Sequence, residues 1–189
     1  KSLPFWLNAP RADNVVQLQT LNYSGFQAAV QVAPGESTAD RFHGIKLSYA
    51  TGALSTALSY EWNRSRTTGD SVNQSLTLAG NYNFGSFKLL GGLQRNRHLV
   101  TTSGNGAFTG SNLLVVGDTS FTADHTDGYT LGAEVPYGDF LFGANYTHVK
   151  YSPVSGGGLG LGKFAVGARY GLSKNTFLYT SLSQATGDL

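Results

Sequence analysis

The 189-residue chain contains no cysteine and no methionine, and charged residues make up only 13% of it. Without cysteine, disulfide bonds and thiol catalysis are excluded, although the cellular compartment stays open. The charged share is about half of what a soluble domain usually carries. No run of roughly 18 apolar residues occurs, so the sequence predicts no membrane-spanning helix. The net charge of +2 comes without a basic cluster, which argues against nucleic acid as a partner.

Glycine and aromatic residues are plentiful instead, with 25 glycines, 10 tyrosines and 11 phenylalanines. Several stretches alternate apolar and polar residues with a period of two, which is the pattern of a strand with one apolar face. The clearest of them are residues 54–63, 75–84, 129–135 and 163–172. A helical period fits none of these stretches. The whole chain resolves into about ten such strand-like segments, so we expect an all-β fold.

Alternation alone fits two folds, a soluble β-sandwich with the apolar face inside and a membrane barrel with that face outside. The connections between the strands distinguish them, because short and long ones alternate strictly. The short ones lie in 22–26, 49–52, 82–87, 137–140 and 170–177, and the long ones in 33–41, 64–73, 97–126 and 151–161. Tight turns at one end, long loops at the other and aromatic residues near the turns are typical of outer-membrane barrels. We therefore predict a transmembrane, antiparallel, up-and-down β-barrel.

Two segments resemble the trimeric general (diffusion) porins of Gram-negative outer membranes. One is Arg11-Ala12-Asp13-Asn14-Val15-Val16, which is similar to the segment after that family's constriction loop. The other is Tyr170-Gly171-Leu172-Ser173-Lys174-Asn175-Thr176 with Leu178 and Tyr179, which is similar to its penultimate hairpin. The resemblance implies a homotrimer in the outer membrane, with each 16-stranded barrel forming its own channel for ions and small polar solutes. It also implies contact with the lipid bilayer and with lipopolysaccharide.

The same resemblance implies a division of the chain. Residues 1–13 would be the tail of the constriction loop and residues 14–189 about ten strands of one barrel, with five strands before them and one after. The first predicted strand runs into a short turn and the last one leaves a short turn, so both ends of this chain lie on the long-loop side. In the family both termini lie on the short-turn side. We therefore expect the chain, which also lacks an initiator methionine, to be incomplete at both ends.

Strand parity predicts six charged side chains on the polar face, which would be the channel wall. They are Lys46, Glu61, Lys88, Glu134, Lys163 and Arg169. Four basic residues against two acidic ones predict a weak preference for anions, because charges on a narrow aqueous path focus the field. The alternative is that these charges only hydrate or pair with one another. Arg11 is the candidate for the constriction, with a structural arginine that pins loop to wall as its alternative.

Two other functions stay open at this point, an outer-membrane barrel enzyme of the protease or lipase type and a soluble β-sandwich binding module. The enzyme would need an acid, a base and a nucleophile at one height, and no such set aligns. Residues 124–127 (Asp-His-Thr-Asp) are predicted to lie in a long solvated loop without a second histidine at helical spacing. The sequence therefore predicts no catalytic residue, no metal site and no cofactor. The basic segment Arg95–His98 is expected either to touch lipopolysaccharide phosphate or to stay hydrated.

Overall fold

The computed structural model describes the backbone of residues 12, 14–35, 40–98, 113–116, 119–153 and 157–187. Arg11, and with it most of the predicted constriction-loop tail, lies outside these residues. In the described part of the chain, no helix is long and apolar enough to cross a membrane. The secondary structure found there is strand.

Eleven antiparallel strands follow one another along the chain. They are β1 (Val16–Gln19), β2 (Phe26–Ala33), β3 (Arg41–Thr51), β4 (Leu54–Arg64), β5 (Ser71–Asn83), β6 (Lys88–Arg97), β7 (Leu113–Val116), β8 (Thr119–Tyr137), β9 (Phe140–Pro153), β10 (Leu159–Ser173) and β11 (Thr176–Gly187). Ten of them pair in chain order, β1 through β6 and then β8 through β11, while β7 pairs with β8 alone. The predicted up-and-down fold with ten wall strands is confirmed. The β7–β8 hairpin, which lies in the longest predicted loop, was not foreseen.

The connections between neighbouring wall strands alternate in length, as predicted. Tight turns join β1 to β2, β3 to β4, β5 to β6, β8 to β9 and β10 to β11, and we call this side of the sheet the short-turn end. Glycines with positive φ allow four of these turns to close: Gly25, Gly52, Gly85 and Gly138. The longer connections lie on the opposite side, the loop end. The predicted turn at 49–52 is confirmed at its end only, because Tyr49 still pairs with Thr56 and the chain reverses at Gly52 and Ala53.

The strand register divides the side chains of the sheet into a polar face and an apolar face. Leu58, Leu78 and Leu93 stand opposite one another on β4, β5 and β6. They are 41%, 45% and 58% exposed, so no second layer of the described residues covers them. Large hydrophobic side chains are similarly exposed on every wall strand. A soluble sandwich would bury these residues as its core, so the sandwich alternative is not supported.

The Asp-His-Thr-Asp segment does not form a loop, and that prediction was wrong. β8 is 19 residues long and contains the whole segment. Its residues continue the ladders to both neighbours, with Thr126 opposite Asn96 of β6 and Tyr151 of β9. Thr126 is 1% exposed on the polar face, whereas Asp127 lies on the apolar face opposite Arg95. Pairing on both sides stabilises strand here although the local sequence is hydrophilic.

The first tight turn yields a test of the fold. Gly25 has a φ of +92°, and its carbonyl oxygen accepts the N–H of Ala50 at 2.9 Å. A methyl group at Gly25 would collide with the backbone of Ala50. Gly25→Ala should therefore lower the free energy of unfolding by about 1–3 kcal/mol, measured by urea unfolding of the detergent-folded protein.

Gly52→Ala is the matched control for this substitution. Gly52 also has a positive φ, of +48°, but a methyl group there would meet nothing within 4 Å. Gly52→Ala should lower the free energy of unfolding by no more than about 1 kcal/mol. Equal losses for the two variants would contradict the close approach of the β1–β2 turn to β3.

Candidate functional site on the polar face

All six charged residues predicted to share a face do so in the structure. Lys46 stands opposite Ser59, and Glu61 opposite Ser75, on neighbouring strands. Lys88 pairs directly with Glu134. Lys163 and Arg169 stand opposite residues of β9 that lie on this same polar face. Arg11, the predicted constriction residue, lies outside the described residues. The face is thus established for six residues, and their role remains a proposal.

Lys88 and Glu134 form a cross-strand ion pair near the short-turn end. The Lys88 Nζ lies 3.3 Å from Glu134 Oε2, and the two side chains are 39% and 37% exposed. Because water screens a pair this exposed, its contribution to stability stays below about 1 kcal/mol. Its larger consequence is local neutrality, since each charge cancels the field of the other.

Lys46 and Glu61 line one hollow on the polar face, between β1 and β5. Four glutamines share this hollow: Gln17, Gln19, Gln27 and Gln31. The Gln31 side-chain amide donates to Gln17 Oε1 at 2.6 Å, and that of Gln17 donates to Gln19 Oε1 at 3.1 Å. Hydrogen-bonded amides of this kind give a wall that stays polar without adding charge.

Arg169 lies near the short-turn end, where its guanidinium carbon is 5.5 Å from the centre of the Phe177 ring. This distance is within the range of a cation–π contact, which holds the arginine against the wall. With Lys88 and Glu134 cancelling, Lys46, Lys163 and Arg169 stand against Glu61, so the predicted wall charges leave +3 − 1 = +2. Glu61 and Lys163 each make further contacts.

The middle of the polar face is built from small side chains. One register row runs through Ala57, Ala79, Gly92, Thr130 and Thr147 on five successive wall strands. Small residues leave open space beside the charged side chains. Among the described residues, no group of three histidine, aspartate or glutamate side chains is placed to hold a metal ion.

A buried amide network near the loop end was missed by the sequence analysis. Asn96 Nδ2 donates to Gln94 Oε1 at 3.1 Å and to Thr126 Oγ1 at 2.8 Å, and Gln94 Nε2 donates to Thr77 Oγ1 at 3.0 Å. Gln94 and Asn96 are 6% and 1% exposed. The spacing of Gln94 and Asn96 in the sequence indicates that both lie on a polar face. Their hydrogen-bond partners could not be predicted, because these depend on the register of β5, β6 and β8.

Breaking this network should destabilise the sheet. Asn96→Ala leaves the Gln94 and Thr126 acceptors without their donor in a buried position, which costs about 1–3 kcal/mol of unfolding free energy. Asn81→Ala is the control. Asn81 lies on β5, on the same polar face of the sheet as Asn96, and its side chain forms no hydrogen bond to any described residue. Urea unfolding of both variants measures the difference. A loss no larger for Asn96→Ala than for Asn81→Ala would contradict the network.

Residues 4–188 match the sequence model of the family described as Gram-negative porin. An outer membrane porin protein of Bordetella pertussis is 29% identical over 95% of this chain and 53% of its own length. Outer membrane porin protein 32 of Delftia acidovorans is 27% identical over 93% of this chain and 47% of its own length. The chain thus spans about half the length of the curated relatives it matches.

Among solved structures, the anion-selective porin from Comamonas acidovorans has a similar fold. It matches with a TM-score of 0.69 and 24% identity, over 93% of this chain and 49% of that one. At this level of identity the likeness shows the fold. It agrees with the antiparallel up-and-down sheet described above.

Proposed function

Because the chain belongs to the Gram-negative porin family, an outer-membrane family, we propose that its polar face lines a water-filled channel for ions and small polar solutes. One observation supports this most directly. Across the ten wall strands, the apolar face exposes large hydrophobic side chains, while the other face carries the charges, the amides and many small residues. The large apolar or aromatic side chains on that other face lie toward its two ends and include Phe42, Val149, Tyr151 and Leu161 at the loop end and Phe177 and Tyr179 at the short-turn end. A strand that separates lipid from water needs this division. Solutes would cross passively, selected by width and by the field of the wall.

The wall charges support a weak preference for anions. Lys46, Lys163 and Arg169 outnumber Glu61 once the Lys88–Glu134 pair cancels. In a narrow path between low-dielectric walls, a small excess of one sign raises the local concentration of the opposite ion. The proposal also extends to Arg11 as a constriction residue, on the resemblance of the segment that contains it.

We propose that the ten strands form part of the wall of a larger closed barrel. In the described part of the chain, β1 and β11 each pair along one edge only. An unpaired strand edge is costly in hydrocarbon, and the curated relatives are about twice as long as this chain. Residues 14–189 would then contribute ten strands, and residues 1–13 the tail of the constriction loop.

The proposed partners are the lipid bilayer, lipopolysaccharide and two further copies of the same protein in a homotrimer. The trimer rests on the family resemblance and is tested by the mass of the detergent-solubilised protein. We propose no catalytic role, no cofactor and no nucleic-acid partner. Hydrolysis of peptide or phospholipid substrates by the pure protein would favour the enzyme alternative instead.

The channel proposal is tested by conductance in a planar bilayer. The whole protein should insert in discrete steps with ohmic conductance, and its reversal potential in a salt gradient should indicate a weak anion preference. Lys46→Gln should lower the anion-to-cation permeability ratio about two- to fivefold, which corresponds to the interaction of roughly one charge with a passing ion in a mostly aqueous path. Glu134→Gln should raise the ratio, because it leaves the charge of Lys88 uncancelled.

Lys174→Gln is the control for Lys46→Gln, because it removes the same positive charge in the β10–β11 turn, outside the wall. Its ratio should stay close to that of the wild type. The shifts should be larger at 0.1 M than at 1 M salt, since the screening length falls from about 10 Å to about 3 Å. Absence of stepwise channels would contradict the channel proposal. Equal shifts of the permeability ratio in all three variants would contradict the role of the wall charges.

A further inference from the structure

The apolar face is not uncharged over its whole height. Five basic residues share its parity, and all of them lie toward the loop end: Arg41, Arg64, Arg95, Arg97 and Lys150. In the described strands, the positions of this face between that level and the short-turn end hold no charged residue. The five residues are dispersed over 110 positions of sequence, so only the strand register brings them to one rim. We call them the outer basic rim.

Arg41 and Arg64 are the unusual members of this rim, because they stand directly opposite each other on β3 and β4. Both residues are exposed, and like charges in this position repel each other. Among the described residues, neither guanidinium forms an ion pair with a carboxylate. Asp40, their neighbour in sequence, accepts the backbone N–H of Arg66 at 3.1 Å.

Between Arg95 and Lys150 the protein supplies its own counter-charge. Asp127 lies between Arg95 and Lys150 in one register row, and its carboxylate is 3.5 Å from the Arg95 guanidinium. The contrast is informative, because the sheet could have placed an acidic residue beside Arg41 and Arg64 in the same way. The arginine pair instead presents up to ten N–H donors without a described anionic partner.

The position of Arg41 and Arg64 along their strands indicates which part of a bilayer surrounds them. β3 and β4 have 11 residues each, which is about the length that crosses the hydrocarbon of a bilayer. Two residues before Arg64, the Trp62 ring stacks on Tyr60 and on His43, at centroid distances of 5.2 and 5.1 Å. Aromatic side chains of this kind mark the boundary between hydrocarbon and headgroups. The arginine pair therefore lies one step beyond it, at the level of the lipid headgroups on the loop side.

We propose that Arg41 and Arg64 together bind a phosphate group of an anionic lipid in the outer leaflet. A phosphate between the two guanidinium groups accepts bidentate, charge-assisted hydrogen bonds and removes their mutual repulsion. The acyl chains of the same lipid would cover the exposed leucines and aromatic residues below. Arg97, which lies in the row of Trp62 and Gln74, would contact a second anionic group of the same headgroup layer. The inference rests on the proposed function, because the apolar face must be in a bilayer.

The test is binding of diphosphoryl lipid A to the whole protein in detergent, followed by native mass spectrometry or calorimetry. Arg41→Gln and Arg64→Gln should each weaken binding about tenfold, the effect expected for losing a charge-assisted hydrogen-bonded contact. Arg64→Lys should recover only part of the affinity, since an ammonium group cannot bind bidentately. Lys174→Gln, which removes a charge at the short-turn end, should leave the affinity unchanged.

Further measurements distinguish a lipid phosphate from free phosphate, and a failure of this inference from a failure of the proposed function. Dephosphorylated lipid A should bind at least tenfold more weakly than the diphosphoryl form, and inorganic phosphate at the same concentration should not compete. Competition by inorganic phosphate, or unchanged affinity in both arginine variants, would overturn the proposal. Single-channel conductance of each variant is measured in parallel. Intact channels with unaltered lipid binding would defeat this inference alone, whereas absence of channels in the wild type would defeat the proposed function.

Discussion

Backbone hydrogen bonding from strand to strand is the constraint on which the rest of this structure depends. Hydrocarbon offers no partner to an N–H or C=O group, and each unsatisfied group costs several kcal/mol there. The ladder from β1 to β11 meets this demand, because every wall strand from β2 to β10 pairs along both edges. With the backbone satisfied inside the sheet, the side chains are free to differ between its two faces.

In the proposed function, that freedom would produce both the channel wall and the lipid-facing surface. The polar face combines small residues such as Ala57 and Gly92 with a few charges, so it offers space together with an electric field. The apolar face changes from aliphatic residues to an aromatic level at Trp62 and then to the arginines at its rim. Under these proposals, a single period of two along each strand would encode the solute path, the hydrocarbon contact and the headgroup contact.

The sequence was sufficient for the features that depend on local pattern. Parity alone assigned Lys46, Glu134 and Arg169 to one face, and alternating connection lengths predicted the two ends of the sheet. The sequence was insufficient where residues distant along the chain determine the length of a strand or the partner of a side chain. The length of β8 follows from its pairing with β6 and β9, so the hydrophilic segment 124–127 was taken for a loop. The Asn96 network and the Arg41–Arg64 pair likewise require the register of neighbouring strands.

The central claim, lipid on one face and water on the other, is tested most directly at two adjacent residues of β5. Leu78 lies on the apolar face and Ala79 on the polar face. Spin labels attached to cysteines at these positions, one at a time, would be studied in the protein reconstituted in bilayers. The account predicts that the label at Leu78 collides mainly with dissolved oxygen and the label at Ala79 mainly with a water-soluble nickel complex. Equal or reversed accessibilities would contradict it.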